Sequence, residues 1–425
     1  MRTTLLRERD VGLIVGAVGI SALGDFLLWI PLTLQLREMT GSGIAVAGLL
    51  IALWAPVVVL APIAGLLTDR LEARALLIWA SLAQAVVAGC LALAVDSVAA
   101  ILVLATLLGI GFAVAQPAEF ALVPVIGGEN HLTETNGLVE SARYAGMTLG
   151  PLAGGILSAA GGIEIAMLVN AATFVCVAIA ALLLKARRPP EPVSDEAAPD
   201  RARDGIVYLF RDRTLGLVVG VVFVSLLIMT ASATAEVFFL KDDLGVSDVA
   251  YGLAFASWTV GMVVGALVIA RRVPVGGIAL GALLAVLVQG AGLGLPTVWL
   301  VYLFGVSLWF VGGVGHGTKN VLARALIQQR VPNRLHGRAF AAYNGLRNGA
   351  ELVALAVGGF LVAAIGGRAT LALAGGIPVF AALAGLALYR RRQQLEAPVE
   401  IEPELSDVGI AAVETSPAAT AVASD

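Results

Sequence analysis

The feature that most constrains this chain is a succession of apolar runs, each about 20 residues long, separated by short polar breaks. A helix of that length crosses the roughly 30 Å of a bilayer's hydrocarbon core. Inside lipid every backbone N–H and C=O has to be satisfied internally, so the runs predict spanning helices. Composition agrees. Of all residues 59% are hydrophobic and 13% charged, against about 45–50% and about 25% in an ordinary soluble domain. The 49 glycines are scattered through the apolar runs, which excludes a collagen repeat or a flexible linker as their origin.

Twelve helices are predicted, over 11–36, 44–67, 75–95, 98–120, 137–158, 164–184, 214–240, 249–270, 276–295, 297–318, 339–364 and 369–389. The first run is longer than the apolar stretch of a signal peptide and reads as a retained span. Residues 1–184 then form one six-helix unit and 214–392 a second. Between them, 185–213 is a linker holding Pro189, Pro190, Pro192 and Pro199, whose end at 205–211 suits a short amphipathic surface helix. Residues 393–425 are acidic and rich in Ala, Pro and Ser, a composition that predicts disorder. With the N-terminus inside, 21 Lys and Arg fall on the cytoplasmic side and three (Arg37, Lys241, Arg368) outside. That asymmetry predicts cytoplasmic termini at both ends.

The two units echo each other. Val123-Pro124 precedes Asn136-Gly137-Leu138, and 208 residues later Val331-Pro332 precedes Asn344-Gly345-Leu346 at the same spacing. Gly154-Gly155 recurs as Gly358-Gly359 at an offset of 204. A duplicated six-helix unit predicts two pseudo-symmetric bundles with a cavity between them at mid-membrane depth.

Several motifs sharpen this. Gly65-Leu-Leu-Thr-Asp69-Arg70-Leu-Glu-Ala-Arg74 joins predicted helices 2 and 3. It resembles the glycine–aspartate–arginine signature of the major facilitator superfamily. Ser21-Ala-Leu-Gly24-Asp25, Gln116-Pro117-Ala118 and Gly150-Pro151-Leu-Ala-Gly154-Gly155 are similar to the exporter branch that includes macrolide and siderophore efflux proteins, a proton-antiporter group. The resemblance implies the major facilitator fold. It also implies a cytoplasmic gate built from Gly65, Asp69, Arg70 and Arg74, which latches in one state of the transport cycle. Ala73 stands where the family often has a second basic residue, and no arginine occurs within predicted helix 4, where many proton-coupled members carry one. The corresponding loop of the second half, Ala270-Arg271-Arg272-Val273-Pro274, lacks the aspartate and reads as an anchor.

Charges inside spans cost about 2.5–3.5 kcal/mol each at a helix centre on insertion scales, which marks them as functional candidates. Asp25, deep in the first helix with Trp29 one turn on, is a candidate for proton or substrate coupling, or else a structural carboxylate. Glu119 is the second candidate. Glu236 reads as a rim residue. Glu140 with Arg143 in helix 5, and Arg347 with Glu351 in helix 11, are spaced for intrahelical pairs and read as structural or gating. His316 and Lys319 read as packed or interface residues of helix 10. Gly146, Gly150 and Gly154 recur every four residues as a smooth packing face, and Pro151 permits a kink. Trp29, Trp54, Trp258 and Trp309 are candidate apolar contacts in the cavity, which should be lined by helices 1, 4, 7 and 10 with their repeat-related partners.

Cys90 and Cys176 lie within apolar runs and read as packing residues. No phosphate-binding loop and no Cys/His spacing suited to a metal occurs, so the expectation is neither an enzyme nor a cofactor or metal protein. The expected partners are a small-molecule substrate, protons and lipid, without nucleic acid, for a monomer in a bacterial inner membrane. The resemblance implies proton-coupled efflux of an amphipathic, drug-like or siderophore-like compound by alternating access. A lipid or lysolipid flippase, an uncoupled facilitator and a non-transporting sensor or scaffold remain open alternatives.

Overall fold

The computed structural model describes residues 8–187, 207, 209–331 and 336–396, all helical apart from short connections. Most of the predicted linker, part of its surface helix and nearly all of the acidic tail lie outside these residues. Helix α1 runs Arg9–Leu27 and, after a break at Leu28, Trp29–Thr40. Helix α2 comprises Gly43–Val59 and Ala61–Arg70, bent by 52° around Leu60. Pro62 opens the second piece and has no N–H to continue the first. Helix α3 is Ala73–Ala92.

The stretch Val98–Leu183 is divided at Gly128 (φ 57°, ψ 179°) and Gly162 (φ 82°, ψ 172°) into α4 (98–127), α5 (129–161) and α6 (163–183). That backbone region is essentially closed to residues with a Cβ, so these two glycines set the corners. The second half follows as α7 (Arg213–Phe238, extended by a π turn Phe239–Asp243), α8 (Asp248–Val264), α9 (Ile278–Gly294) and α10 (Tyr302–Arg330). The stretch His336–Glu396 is divided at Gly366 (φ 80°, ψ 168°) into α11 (336–365) and α12 (367–396). Among the described residues eight helical stretches are long and apolar enough to cross a bilayer, or nine with α2 taken as one bent span. The stretch holding α11 and α12 counts there once. Helices α5 and α10 fall short because glycines and polar residues interrupt their apolar runs.

The two halves repeat a set of contacts at an offset of 204 or 205. Gly41 and Gly245 both take φ 60° after α1 and α7. Ser42 and Ser247 then cap α2 and α8 by accepting from Ala45 and Ala250. Gly154 of α5 sits on the Leu27 carbonyl of α1, and Gly358 of α11 sits on the Ala231 carbonyl of α7. Gly111 meets Gln84 and Gly315 meets Gln289. At Gly154, Gly358 and Gly315 the missing Cβ lets two backbones approach closely, and at Gly111 it makes room for the Gln84 side chain. Close approach is how helices associate where lipid removes any hydrophobic drive between them.

The seam between the halves is built the same way. Gly155 of α5 packs on Asp248 of α8, and its equivalent Gly359 of α11 packs on Ile44 of α2. Arg37 of α1 pairs with Asp242 after α7, and Trp29 meets Phe255 with ring centroids 6.0 Å apart. These contacts gather at the ends of the helices near residues 37–47, 151–155, 242–255 and 359–367. At the opposite, arginine-rich end the contacts stay within each half. Arg9 donates to the Leu183 carbonyl at 3.0 Å, Asp10 accepts from the Lys185 and Ala186 amides, and Arg330 pairs with Asp212 at 3.3 Å. Among the described residues no ion pair or ring contact crosses the halves there. Among the described residues the seam is therefore joined at one end only.

Large apolar side chains cover the outer faces, among them Trp79, Val103, Leu303 and Phe380, as lipid solvation requires. Cys90 and Cys176 are exposed on these faces. This corrects their reading as packing residues: each is an exposed free thiol.

Candidate functional site

Between the halves lies a cavity of about 500 Å³, with walls from α1, α2, α4 and α5 on one side and from α7, α8, α10 and α11 on the other. Its α1 wall is Ala22, Asp25, Phe26 and Trp29, the i, i+3, i+4, i+7 face of one helix. Gly24, on another face, seats α1 against α6, where a Cβ would come 2.7 Å from Asn170 Oδ1. That packing turns the neighbouring Asp25 toward the cavity. The α7 wall is Met229, Thr230, Ala233 and Glu236, so Glu236 is a wall residue rather than part of the rim.

All four candidate tryptophans, Trp29, Trp54, Trp258 and Trp309, line this space. Phe26 stacks near Trp29 at 6.3 Å, and Phe112 stands edge-on to Trp54 at 5.8 Å. The indole N–H of Trp309 finds no acceptor among the described residues.

The charged groups are brought together differently from their sequence spacing. Arg143 does approach Glu140, at 3.8 Å, but its closer partner is Glu119 of α4, at 3.3 Å. Its guanidinium also lies 5.0 Å from the Phe120 ring centroid. Glu119 and Arg143 are 4% and 14% exposed, whereas Glu140 is 43% exposed, so the tertiary pair is the buried one. Ser21 lies between Asp25 and Glu119, close enough to interact with each. Arg347 and Glu351 pair within α11 at 2.9 Å. Arg143, Arg347 and Glu351 all line the cavity, a placement that their intrahelical spacing did not disclose. The two arginines are repeat equivalents, 204 residues apart, as are Trp54 and Trp258. The carboxylates that pair with the arginines differ in position.

Behind the wall of the second half lies a polar cluster the sequence did not disclose. His316 Nδ1 is 3.2 Å from Met229 Sδ, and its Nε2 is 2.9 Å from Asn320 Nδ2. Gln289 donates to Met229 Sδ at 2.8 Å. Lys319 is fully buried with no hydrogen-bond partner for Nζ among the described residues.

The candidate gate sits apart from the cavity. Gly65 has open space where a Cβ would go, and Arg70 is exposed. The side chain of Asp69 lies outside the described residues. Arg74 donates to the carbonyls of Ala181 and Leu182, at 2.9 and 2.6 Å, capping the end of α6 within its own half. Along α5, Gly146 lies on Gly19, Ala22 and Leu23, and Gly150 on Leu23 and Phe26 of α1. The helix continues through Pro151 without a break, and the Pro151 carbonyl lies in the seam against Gly252 of α8. Among the described residues no cluster of three or more His, Cys, Asp or Glu is placed to hold a metal.

The sequence matches the pattern of the Major Facilitator Superfamily over residues 14–350 and again over 217–421. It is similar to YfiS of Bacillus subtilis strain 168, described as an uncharacterized MFS-type transporter. They are 25% identical over 364 residues, 82% of this chain and 85% of that protein. In structure it is similar to a bacterial homologue of the human lysosomal transporter Spinster, in an inward-facing and unoccupied conformation. That match has a TM-score of 0.70 at 12% identity, over 91% of this chain and 98% of the other. The nucleoside transporter NupG matches with a TM-score of 0.69 at 15% identity, over 88% of this chain and 100% of the other. At such identities the shared property is the fold.

Proposed function

Because this chain belongs to the major facilitator superfamily and is a secondary transporter rather than an enzyme, we propose that it exports an amphipathic organic compound in exchange for protons. The observation that carries this reading is the composition of the inter-bundle cavity, where four tryptophans face a membrane-depth carboxylate, Asp25, that makes no ion pair among the described residues. The aromatic walls suit an apolar body. Asp25, within reach of Ser21 and near the Glu119–Arg143 pair, is the proton-coupling site.

The transport cycle follows from the seam. With the arginine-rich end on the cytoplasmic side of a bacterial inner membrane, the halves are joined outside and the cavity opens inward to load cargo. Protonation and release on the far side require the seam to part and the inner ends to close. In that state the latch of Asp69, Arg70 and Arg74 engages the opposite half, and a monomer suffices for the whole cycle.

The test is flux in proteoliposomes, using a panel of fluorescent amphipathic dyes of both cationic and neutral type. A proton gradient drives accumulation, and nigericin ends it. Asp25→Asn keeps dye binding and loses the gradient-driven component. Wild-type rates in that variant would sink the coupling assignment. Flux indifferent to the gradient would mark an uncoupled facilitator, and movement of labelled lysolipid between leaflets would mark a flippase.

A further inference from the structure

Duplication has furnished the cavity with matched groups, and two carboxylates break the match. Arg143 and Arg347 are equivalents, and each has its own acid: Arg143 holds Glu119 at 3.3 Å and Arg347 holds Glu351 at 2.9 Å. The cavity cations are thereby neutralised. Asp25 and Glu236 also line the space, one from each half, and neither makes an ion pair among the described residues. The residues equivalent to them, Met229 and Leu32, carry no charge. Among the described residues Glu236 has the Ser232 hydroxyl, one turn before it, as a hydrogen-bonding neighbour, and the buried Tyr251 hydroxyl, without a partner of its own, lies near enough to feel its charge.

An unpaired carboxylate at membrane depth is costly and persists where something meets it. Here the same cavity presents Phe255, Trp258 and Trp309 from the Glu236 side and Trp29 from the other. Carboxylate plus aromatic faces is the chemistry that selects organic cations, through Coulomb attraction and the ring quadrupoles. An anionic cargo would meet two unpaired carboxylates and find both arginines occupied. We propose that Glu236 anchors the positive group of the transported compound, which is therefore an organic cation with an aromatic or branched apolar body. This rests on the export reading above and narrows its substrate class, leaving Asp25 to the proton.

The test is calorimetric binding to the purified full chain, comparing tetraphenylphosphonium with neutral triphenylphosphine oxide. The wild type binds the cation tighter, by about tenfold or more. Glu236→Gln loses about tenfold for the cation and stays within about twofold for the neutral compound, which also shows that the variant is folded. Glu236→Asp, which keeps the charge, recovers part of the loss. The inference is overturned if Glu236→Gln binds the cation as the wild type does, or if the wild type holds both compounds equally. Its failure is separable from that of the export reading. Gradient-driven flux of a neutral dye without cation binding leaves export standing and removes the cation site. Cation binding through Glu236 with no flux under any gradient supports the site and removes export.

Discussion

At the residue scale the Glu119–Arg143 pair decides how the first half tolerates charge. Members of the family that couple to protons often carry an arginine in helix 4, and here α4 has none before its glutamate. The guanidinium instead arrives from α5. Both side chains are largely buried, so removing one partner leaves an uncompensated charge rather than merely deleting a contact. Glu119→Gln is expected to destabilise the protein by roughly 3 kcal/mol, the low end because Glu140 remains at hand. Glu140→Gln, at an exposed partner, changes stability by less than about 1 kcal/mol. The double change Glu119→Leu with Arg143→Met recovers most of the loss, since the orphaned charge is what costs. Thermal unfolding in detergent checks all three, and equal losses for Glu119→Gln and Glu140→Gln would contradict the buried pairing. Sequence spacing exposes the three-residue neighbour Glu140 and hides the 24-residue one, because a period of 3.6 reports a helix face and not what faces it. Glu236 was misplaced for a related reason. Position along a span gives depth, and only packing shows whether a side chain at that depth faces cavity or rim.

At the element scale glycine does two separable jobs, turning corners and thinning helix contacts. Gly150 belongs to the second kind: a Cβ there would come 2.7 Å from the Leu23 carbonyl and 2.9 Å from Phe26 Cβ, the residue next to Asp25. Backbone cannot yield as a flexible side-chain tip does, so Gly150→Ala is expected to cost about 1–3 kcal/mol by overpacking and to slow transport. Gly89 of α3 has nothing within 4 Å of its would-be Cβ. Gly89→Ala should be neutral or stabilise by up to about 1 kcal/mol, through helix propensity. Comparable losses at both sites, read by unfolding in detergent, would mean the stripe is not a packing surface. Apolar runs and charged ends made most helix ends legible to within a few residues, but the polar ends of α4 (to 127), α5 (from 129) and α10 (to Arg330) run seven to twelve residues past the apolar runs. The four-residue glycine spacing marked the packing face of α5. The breaks at Leu28 and Leu60 were not legible. An apolar residue leaves no polar signal where a helix bends, and Pro62 sat within a run that otherwise looked continuous.

At the scale of the whole molecule, transport requires that the two bundles part where they are now joined. The repeat shows how that joint is built, from two symmetric glycine contacts flanking the Arg37–Asp242 pair. The Gly43–Val362 contact between α2 and α11 is the most direct place to fix it, since a Cβ at 43 would lie 2.8 Å from the Val362 Cβ. Cysteines at both positions are therefore near disulfide distance with a small backbone adjustment. The native Cys90 and Cys176 are exposed free thiols, so Cys90→Ser and Cys176→Ser are expected to be tolerated and give a clean background. In that background, oxidising Gly43→Cys/Val362→Cys is expected to stop gradient-driven flux, and a reductant to restore it. Binding from the open end should survive oxidation, because the cavity walls are untouched. That split separates a locked joint from a damaged site. Each single cysteine variant, oxidised in parallel, should transport as its reduced form does. If the oxidised pair carried substrate at the reduced rate, the joint between α2 and α11 would not be the one that opens. The same experiment bears on the sidedness inferred from the arginines, because the crosslink forms readily with a membrane-impermeant oxidant only when the joined end faces that reagent. In right-side-out vesicles the reaction is expected from outside, and reaction only from inside would reverse the sidedness inferred from the arginines.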